Sequence, residues 1–290
     1  MGKNARKAAA TRRPSLTILA GLAIVVVLVV LLAIQFVQSG SSAPTPGDEG
    51  PLSSTVLANV TNVPPAVLAT VGAGTAAGDI RWLPGPTRNG DTGKPLVVYV
   101  GAEYCPFCAV ERWPLVVALS RFGAFQNLAG SFSASDDVYP STPTFTFVGS
   151  SYTSQYVAFS SVEAQSNKKV NGVYPPLQTP TALQNEVFQR FNGPPFLAQN
   201  QAGGIPFIDV ADHYMANGAT YDPRVLGGLS RDAIAAKLQT ADNDQARGIL
   251  GAANRLTAAI CVANANQPTS VCADPSIQQI ETTLPKQPTG

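Results

Sequence analysis

The chain has 290 residues, with 19 Lys and Arg against 18 Asp and Glu, a formal net charge of +1 and 45% hydrophobic residues. So even a balance lacks the basic footprint of a nucleic-acid-binding protein, and the length allows one domain with additions rather than several. The single histidine and four cysteines leave little material for a metal site built from imidazole and thiolate ligands.

Residues 1–15 carry Lys3, Arg6, Lys7, Arg12 and Arg13 and no acid. Residues 16–37 are then apolar except for Thr17, Gly21 and Gln35. At the helical rise this stretch spans about 33 Å, enough for the hydrocarbon core of a bilayer. It is longer than the apolar core of a cleavable signal, so a retained anchor is expected. The positive flank places the N-terminus in the cytoplasm and the rest of the chain outside, in the cell membrane as a single-pass protein. Five of the 19 basic residues lie in the tail, leaving 14 against 18 acids, so the exported part is mildly acidic. Residues 38–55, rich in Ser, Pro and Gly, read as a flexible tether.

The globular part is expected from residue 56. Val60, Val63, Val67 and Val71 have a helix-like spacing broken at Pro64-Pro65, which predicts a helix from Pro65. Arg81-Trp82-Leu83-Pro84-Gly85-Pro86 reads as a turn, with Trp82 a core residue or a neighbour of the site described next.

Residues 94–122 carry the chemistry. The apolar run Pro95 to Val100 predicts a strand, and Gly101-Ala102-Glu103-Tyr104 a turn. Cys105-Pro106-Phe107-Cys108 then opens a helix whose Val110, Trp113 and Val117 share one face, beside a stripe of Leu115, Leu119 and Phe122. Free amides and the positive dipole end at a helix start stabilise a thiolate, the form of cysteine that attacks disulfides. Cys105 is therefore the expected nucleophile, and Cys108, one turn further in, the resolving thiol. Pro106 suits the first helical position because its missing N–H had no helical partner. Glu103 offers a proton acceptor, although its turn position reads first as that of a solvated glutamate. A zinc site would need two more ligands near this pair, and the next cysteines, Cys261 and Cys272, lie more than 150 residues on.

Further along, Thr144–Val148 and Gln155–Val162 alternate with period two and are expected to pair as an antiparallel hairpin or adjacent strands, without catalytic groups. Residues 168–178 form a loop. Thr179-Pro180 reads as a cap with proline at the first helical position, opening a helix through Leu183, Val187, Phe188 and Phe191. Gly203 to Val210 reads as a short strand whose start follows Pro206, and Ala219–Tyr221 as another. His213 is expected to be a packed or surface residue rather than an acid or base. Ser230 caps a helix over 231–239, and residues 242–266 form a longer one. Cys261 and Cys272 enclose a short loop, and outside the cytoplasm they are expected to form a structural disulfide, with a relay dithiol as the alternative.

Two resemblances add to this reading. The Gly203 to Val210 strand, set against the CxxC helix, resembles thioredoxin-like folds. That implies a cis-proline at Pro206 facing the cysteines, with the Ile205 backbone pairing a substrate peptide beside Pro106 and Phe107. It also implies a buried acid on the strand before the CxxC, where this chain has Tyr99, a departure that counts against a thioredoxin-like reductase mechanism. The stretches Gly101–Ala109, Glu111–Trp113, Ala118–Gly123, Thr142–Phe145, Tyr152–Glu163 and Gly204–Ile208 resemble the DUF929 family, an archaeal and actinobacterial group of unknown function, over about residues 57–238.

The expected fold class is α/β: a thioredoxin-like central sheet flanked by helices, with inserted strands and loops, over residues 56–241. An N-terminal transmembrane helix precedes it and a C-terminal helical extension over 242–290 follows. The expected function is that of an extracytoplasmic thiol–disulfide oxidoreductase acting on exported protein thiols and disulfides, leaning toward oxidation or isomerisation. It needs no dissociable cofactor, and an integral-membrane redox partner would recycle it. Two other readings use the same residues: a Cu(I) metallochaperone, and a non-catalytic interaction module with a static disulfide.

Overall fold

Strand β3 (Leu96–Gly101) is buried at all six positions. A run this apolar fits a strand covered on both faces, where alternation gives way to continuous hydrophobicity. The computed structural model describes residues 49–286, and within it β3 lies between β8 (Ala158–Glu163) and β9 (Phe207–Val210). β8 is parallel, in register from Leu96↔Ala158 to Gly101↔Glu163, and β9 is antiparallel. β10 (Tyr214–Asn217) continues antiparallel to β9 and pairs with β2 (Ile80–Trp82), giving a five-stranded mixed sheet of order β2-β10-β9-β3-β8.

Helices cover both faces. Val97 and Tyr99 of β3 pack into the core made with α3 (Pro106–Ser120) and α6 (Asp244–Ala263), while Leu96, Val98 and Val100 pack against Val187 and Phe191 of α4 (Ala182–Phe191). The parallel β3–β8 pair needs a long crossover, and α3 supplies it. Two small sheets are inserted along the way: β4 (Gly123–Gln126) with β7 (Ser151–Ser154), and β5 (Ala129–Phe132) between β6 (Pro143–Thr146) and β1 (Gly50–Pro51).

Several boundaries differ from the sequence expectations for physical reasons. Thr144–Val148 and Gln155–Val162 do not pair with each other: the first contributes β6, antiparallel to β5, and the second β8, parallel to β3. Period two identifies a strand but carries no information about its neighbour. Arg81-Trp82 belongs to β2, ahead of the turn, and the strand expected at Ala219–Tyr221 lies instead at β10. The cap of α4 is Thr181: its hydroxyl accepts from the Gln184 N–H at 3.2 Å while the Gln184 side chain accepts from the Thr181 N–H at 2.9 Å. That reciprocal pair outcompetes Thr179-Pro180 because it satisfies two amide groups at once. The tether is already paired at Gly50, and α1 (Ser54–Thr61) starts at the Ser53 cap, ahead of residue 56. α2 (Pro65–Val71) begins at Pro65. The basic tail and the anchor expected at 16–37 lie outside the described residues; among those described, no helix is long and apolar enough to cross a membrane.

α3 has a proline in its interior. Pro114 cannot donate to the Val110 carbonyl one turn back. The Tyr221 hydroxyl donates to that carbonyl at 3.0 Å instead, and the Thr144 hydroxyl donates to the neighbouring Ala109 carbonyl at 2.6 Å. α6 packs along α3 with most of its length buried, so it is part of the core that holds the CxxC helix. α5 (Arg231–Lys237) is capped by Ser230. After α6 the chain reverses through α7 (Thr269–Cys272) into α8 (Pro275–Thr283), which packs back on α6. Cys261 and Cys272 are disulfide-bonded with Cα atoms 5.5 Å apart, fastening this return.

The β9–β10 turn concentrates buried charge. Ala211 and Asp212 have positive φ of 56° and 59° without being glycine. Asp212 pairs with Arg88 at 2.7 Å and Arg190 at 3.2 Å, and its N–H donates to the Asp209 carboxyl at 3.1 Å. The other Asp209 oxygen is buried without a partner, and burial pushes the carboxyl up to about 8.

Two stability outcomes follow. A raised acid in the fold favours the protonated form, so its stabilising contribution is complete below the unfolded value of about 3.9 and is lost as pH rises through about 8. Asp209→Asn should therefore match the parent near pH 4, where the unfolded aspartate also begins to hold its proton. At pH 9 it should exceed the parent in thermal midpoint by roughly 5 °C, read by circular dichroism. Replacing Cys261 and Cys272 together by alanine should lower the unfolding free energy by about 3 kcal/mol in a denaturant titration.

Candidate functional site

Cys105 is the N-cap of α3, with extended backbone, and Pro106 takes the first helical position. The Cys105 sulfur accepts from the Cys108 N–H at 3.2 Å, an amide that the helix itself leaves unused. On its other side the sulfur lies 3.8 Å from the Ile205 carbonyl, to which the thiol donates. The Ile205–Pro206 peptide is cis, directly before β9. The fold therefore brings together Cys105, Pro106, Phe107, Cys108, Ile205 and Pro206 from two segments a hundred residues apart.

The two thiols are free and differ in environment. Cys105 is 5% exposed and Cys108 fully buried. The Cys108 thiol donating to the Cys105 sulfur lowers the Cys105 pKa, helped by the Cys108 N–H and the Arg112 charge, against the opposing effect of burial. Burial raises Cys108 well above the ordinary thiol range, and its interaction with Cys105 adds to the rise. One sulfur is thus disposed to ionise and the other to keep its proton.

Beneath them lies a cluster of charged side chains that sequence reasoning passed over. Arg112 continues the stripe Cys105, Cys108, Arg112 along one side of α3 and is fully buried. Its Nε and Nη2 donate to the two oxygens of Glu163 at 2.8 and 2.7 Å, and Nη2 also donates to the Ala102 carbonyl at 3.0 Å. Glu163 ends β8 opposite Gly101. Burial pushes its carboxyl up to about 7 against the pull of Arg112. Glu103, expected from its turn position to be solvated, is instead buried, at 4% exposed. It accepts from the Ser131 hydroxyl at 2.5 Å and sits 3.9 Å from Arg112. Its remaining oxygen, Arg112 Nη1 and the Tyr99 hydroxyl are buried without a hydrogen-bond partner. Tyr99 lies over Gly101, where a Cβ would come within 2.2 Å of the hydroxyl oxygen, so only glycine fits there. The available signal was a pair of charged residues, Glu111-Arg112, inside a largely apolar helix, with Arg112 seven residues from Cys105.

Other residues singled out in the sequence lie elsewhere. His213 follows the opposite end of β9 from Pro206, its Nε2 2.8 Å from the Thr87 hydroxyl. Trp82 pairs with Tyr214 beside that same turn. The Cys261–Cys272 disulfide closes the far end of α6. Among the described residues no group of three or more His, Cys, Asp or Glu is placed to hold a metal ion.

A cavity of about 310 Å³ is bounded by Tyr104, which precedes Cys105, and by Ile205, whose carbonyl faces the Cys105 sulfur, together with Gln165, Asn185 and Phe188; neither cysteine lines it. The arrangement offers an ionisable sulfur at a helix start, a second sulfur within reach of it, and a cavity whose wall includes Tyr104 and Ile205, the neighbours of the first. No curated protein and no solved structure matches the chain. Residues 86–262, which include both cysteines, Arg112, Glu163 and the Ile205–Pro206 bend, match the domain of unknown function DUF929, and the chain belongs to that family.

Proposed function

We propose that the protein is a thiol–disulfide oxidoreductase with a thioredoxin-like fold, anchored in the cell membrane with its globular part outside. The observation that carries this is the Cys105 sulfur, held by the Cys108 N–H at 3.2 Å and facing the Ile205 carbonyl at 3.8 Å. The fold assignment is supported by the order β10-β9-β3-β8, with one parallel pair, a helical crossover on each side of β8, and a cis-proline bend opposite the CxxC.

In the reducing direction, the Cys105 thiolate attacks one sulfur of a client disulfide, and the client's other sulfur leaves as a thiolate. Cys108 then gives up its proton and attacks Cys105, releasing the second client thiolate and leaving Cys105–Cys108 oxidised, with two electrons passed to the client. Oxidation of a client dithiol runs the same steps backward. The Ile205 backbone flanks the reacting sulfur and suits pairing with an extended client chain. A stabilised Cys105 thiolate favours the reduced enzyme and so favours oxidation or isomerisation of exported proteins. Such a cycle needs an integral-membrane redox partner to restore the disulfide, and no dissociable cofactor, because the dithiol holds both electrons.

Cys108→Ala should accumulate mixed disulfides through Cys105 that run as reductant-sensitive adducts on non-reducing gels, and adding Cys105→Ser should abolish them. Absence of adducts from the single variant would overturn the proposal. Titration of the thiolate absorbance should place Cys105 below the free-cysteine value of about 8.5. Arg112→Met should move it upward, because the guanidinium charge no longer reaches the sulfur.

A further inference from the structure

Large exposed apolar side chains are few among the described residues: Phe107, Val138, Val170, Val173, Leu177 and Val262. Val262 lies near the end of α6, far along the chain from the thiols. The other five sit on three segments that meet around Cys105. Phe107 is inside the CxxC itself. Val138 belongs to the loop between β5 and β6, whose Tyr139 ring packs edge-on against Phe107 at 5.7 Å. That loop is fixed to the site by the Ala134 N–H, which donates to the Tyr104 carbonyl at 2.9 Å.

Val170 and Val173 form the tip of a tight hairpin between β8 and α4. Each donates its N–H to the other's carbonyl, at 2.8 and 3.2 Å, across Asn171 and Gly172 with positive φ. The next residue, Tyr174, stacks on Tyr104 at 4.5 Å, one position before Cys105. The hairpin is tied to the turn ahead of the cysteines by the Glu103 N–H, which donates to Gln165 at 2.9 Å. Leu177 follows on the return of the same segment.

Most charges of this rim are matched internally; Asp137 accepts from the Val138 N–H and makes no ion pair among the described residues. Lys168 pairs with Glu49 and Lys169 with Asp136, both at 2.5 Å, and Tyr174 donates to the second oxygen of Asp136 at 2.7 Å. The rim therefore offers a charged partner little to pair with. The Ile205 N–H has no partner among the described residues, so one amide beside the reactive sulfur is open to an extended chain. An apolar rim and an unused backbone donor flank one thiol, and a cavity of about 310 Å³ is lined by its neighbours Tyr104 and Ile205.

We propose that these two inserted loops and Phe107 form a docking collar for an extended segment of a client polypeptide that carries bulky apolar side chains beside its reacting cysteine. This rests on the oxidoreductase reading and adds its substrate class: stretches normally buried in the client's fold, and so available only before folding is complete. The paired charges argue for an apolar chain over an acidic or basic one, and the open Ile205 N–H argues for a peptide over a lipid.

The test uses the full chain and a triple variant, Val138→Ser, Val170→Ser and Val173→Ser. All three positions are more than half exposed, so the fold is retained. Two peptide disulfides are compared, one with Leu and Phe flanking the cysteine and one with Ser and Gln. Oxidised glutathione serves as a substrate too small to reach the collar. The parent should favour the apolar peptide at least ten-fold in kcat/KM. The variant should lose that preference through KM, with glutathione reactivity and the Cys105 titration unchanged. Equal rates on both peptides in the parent, with glutathione turned over normally, would overturn the collar while leaving the oxidoreductase reading intact. No reaction with glutathione would overturn the latter instead. Hydroxyl-radical footprinting of the full chain in phosphatidylglycerol vesicles covers the remaining occupants. Protection of residues 168–174 without peptide would overturn the proposal in favour of a lipid surface, and a dimer that the triple variant converts to monomer would overturn it in favour of a second copy.

Discussion

Arg112 has no solvent on any side, yet it cannot give up its charge. Everything at the dithiol end of the fold is arranged around that fact. Its guanidinium must be met by a carboxylate and by carbonyl oxygen. Glu163 supplies the first from the end of β8 and Ala102 the second from the turn before the CxxC. The three elements that make the site, α3, β8 and the β3–α3 turn, are thus held by one side chain. A buried pair of this kind need not add net stability, because desolvation opposes the attraction. Its consequence is geometric: removing either partner leaves an uncompensated buried charge, at a cost of about 3–5 kcal/mol, so the arrangement tolerates no sliding of α3 against the sheet.

The same burial sets the two sulfurs apart. Cys105 is nearly enclosed, and enclosure alone would keep it protonated. What reverses the balance is local: a thiol and an amide from Cys108 both aimed at the sulfur, with a guanidinium two turns behind. Cys108 receives the burial without the amides, so it keeps its proton. Neither effect needs an acid at Tyr99 on β3. The buried acids here lie beside Arg112 instead, Glu163 from β8 and Glu103 from the turn.

Local chemistry was legible in the sequence and distant pairing was not. The CxxC at a helix start, Pro106 at the first helical position and the fully apolar β3 all follow from short-range rules, and each is where those rules put it. The partner of Thr144–Val148 was not readable, because a period of two says nothing about which strand lies alongside. The cap of α4 was misplaced by two residues because Thr179-Pro180 imitates a helix start that Thr181 and Gln184 complete better. Glu103 looked solvated because nothing near it in sequence covers it. Ser131, which does, comes from β5, 28 residues on. Arg112 and Glu163 are 51 residues apart, one inside a helix beside Glu111 and the other at the end of a strand, and neither alone points to its partner.

The inserted segments explain why so much charge could be buried here at all. A bare β3–α3–β8 unit would leave the turn at Glu103 open to water, and water would screen the field that Arg112 exerts on the sulfurs. The β5–β6 sheet closes that opening with Ser131, and Arg231 at the start of α5 clamps the sheet by donating to the Ser131 and Thr144 carbonyls, each at 2.8 Å. The loop that continues from β5 then has to pass over the CxxC to reach β6, and it carries Val138 and Tyr139 with it. Excluding water from the cluster and surrounding the thiol with apolar side chains are therefore two results of a single insertion. A change that opened the loop to relax the collar would also admit solvent to Glu103 and Arg112 and weaken the field that favours the Cys105 thiolate.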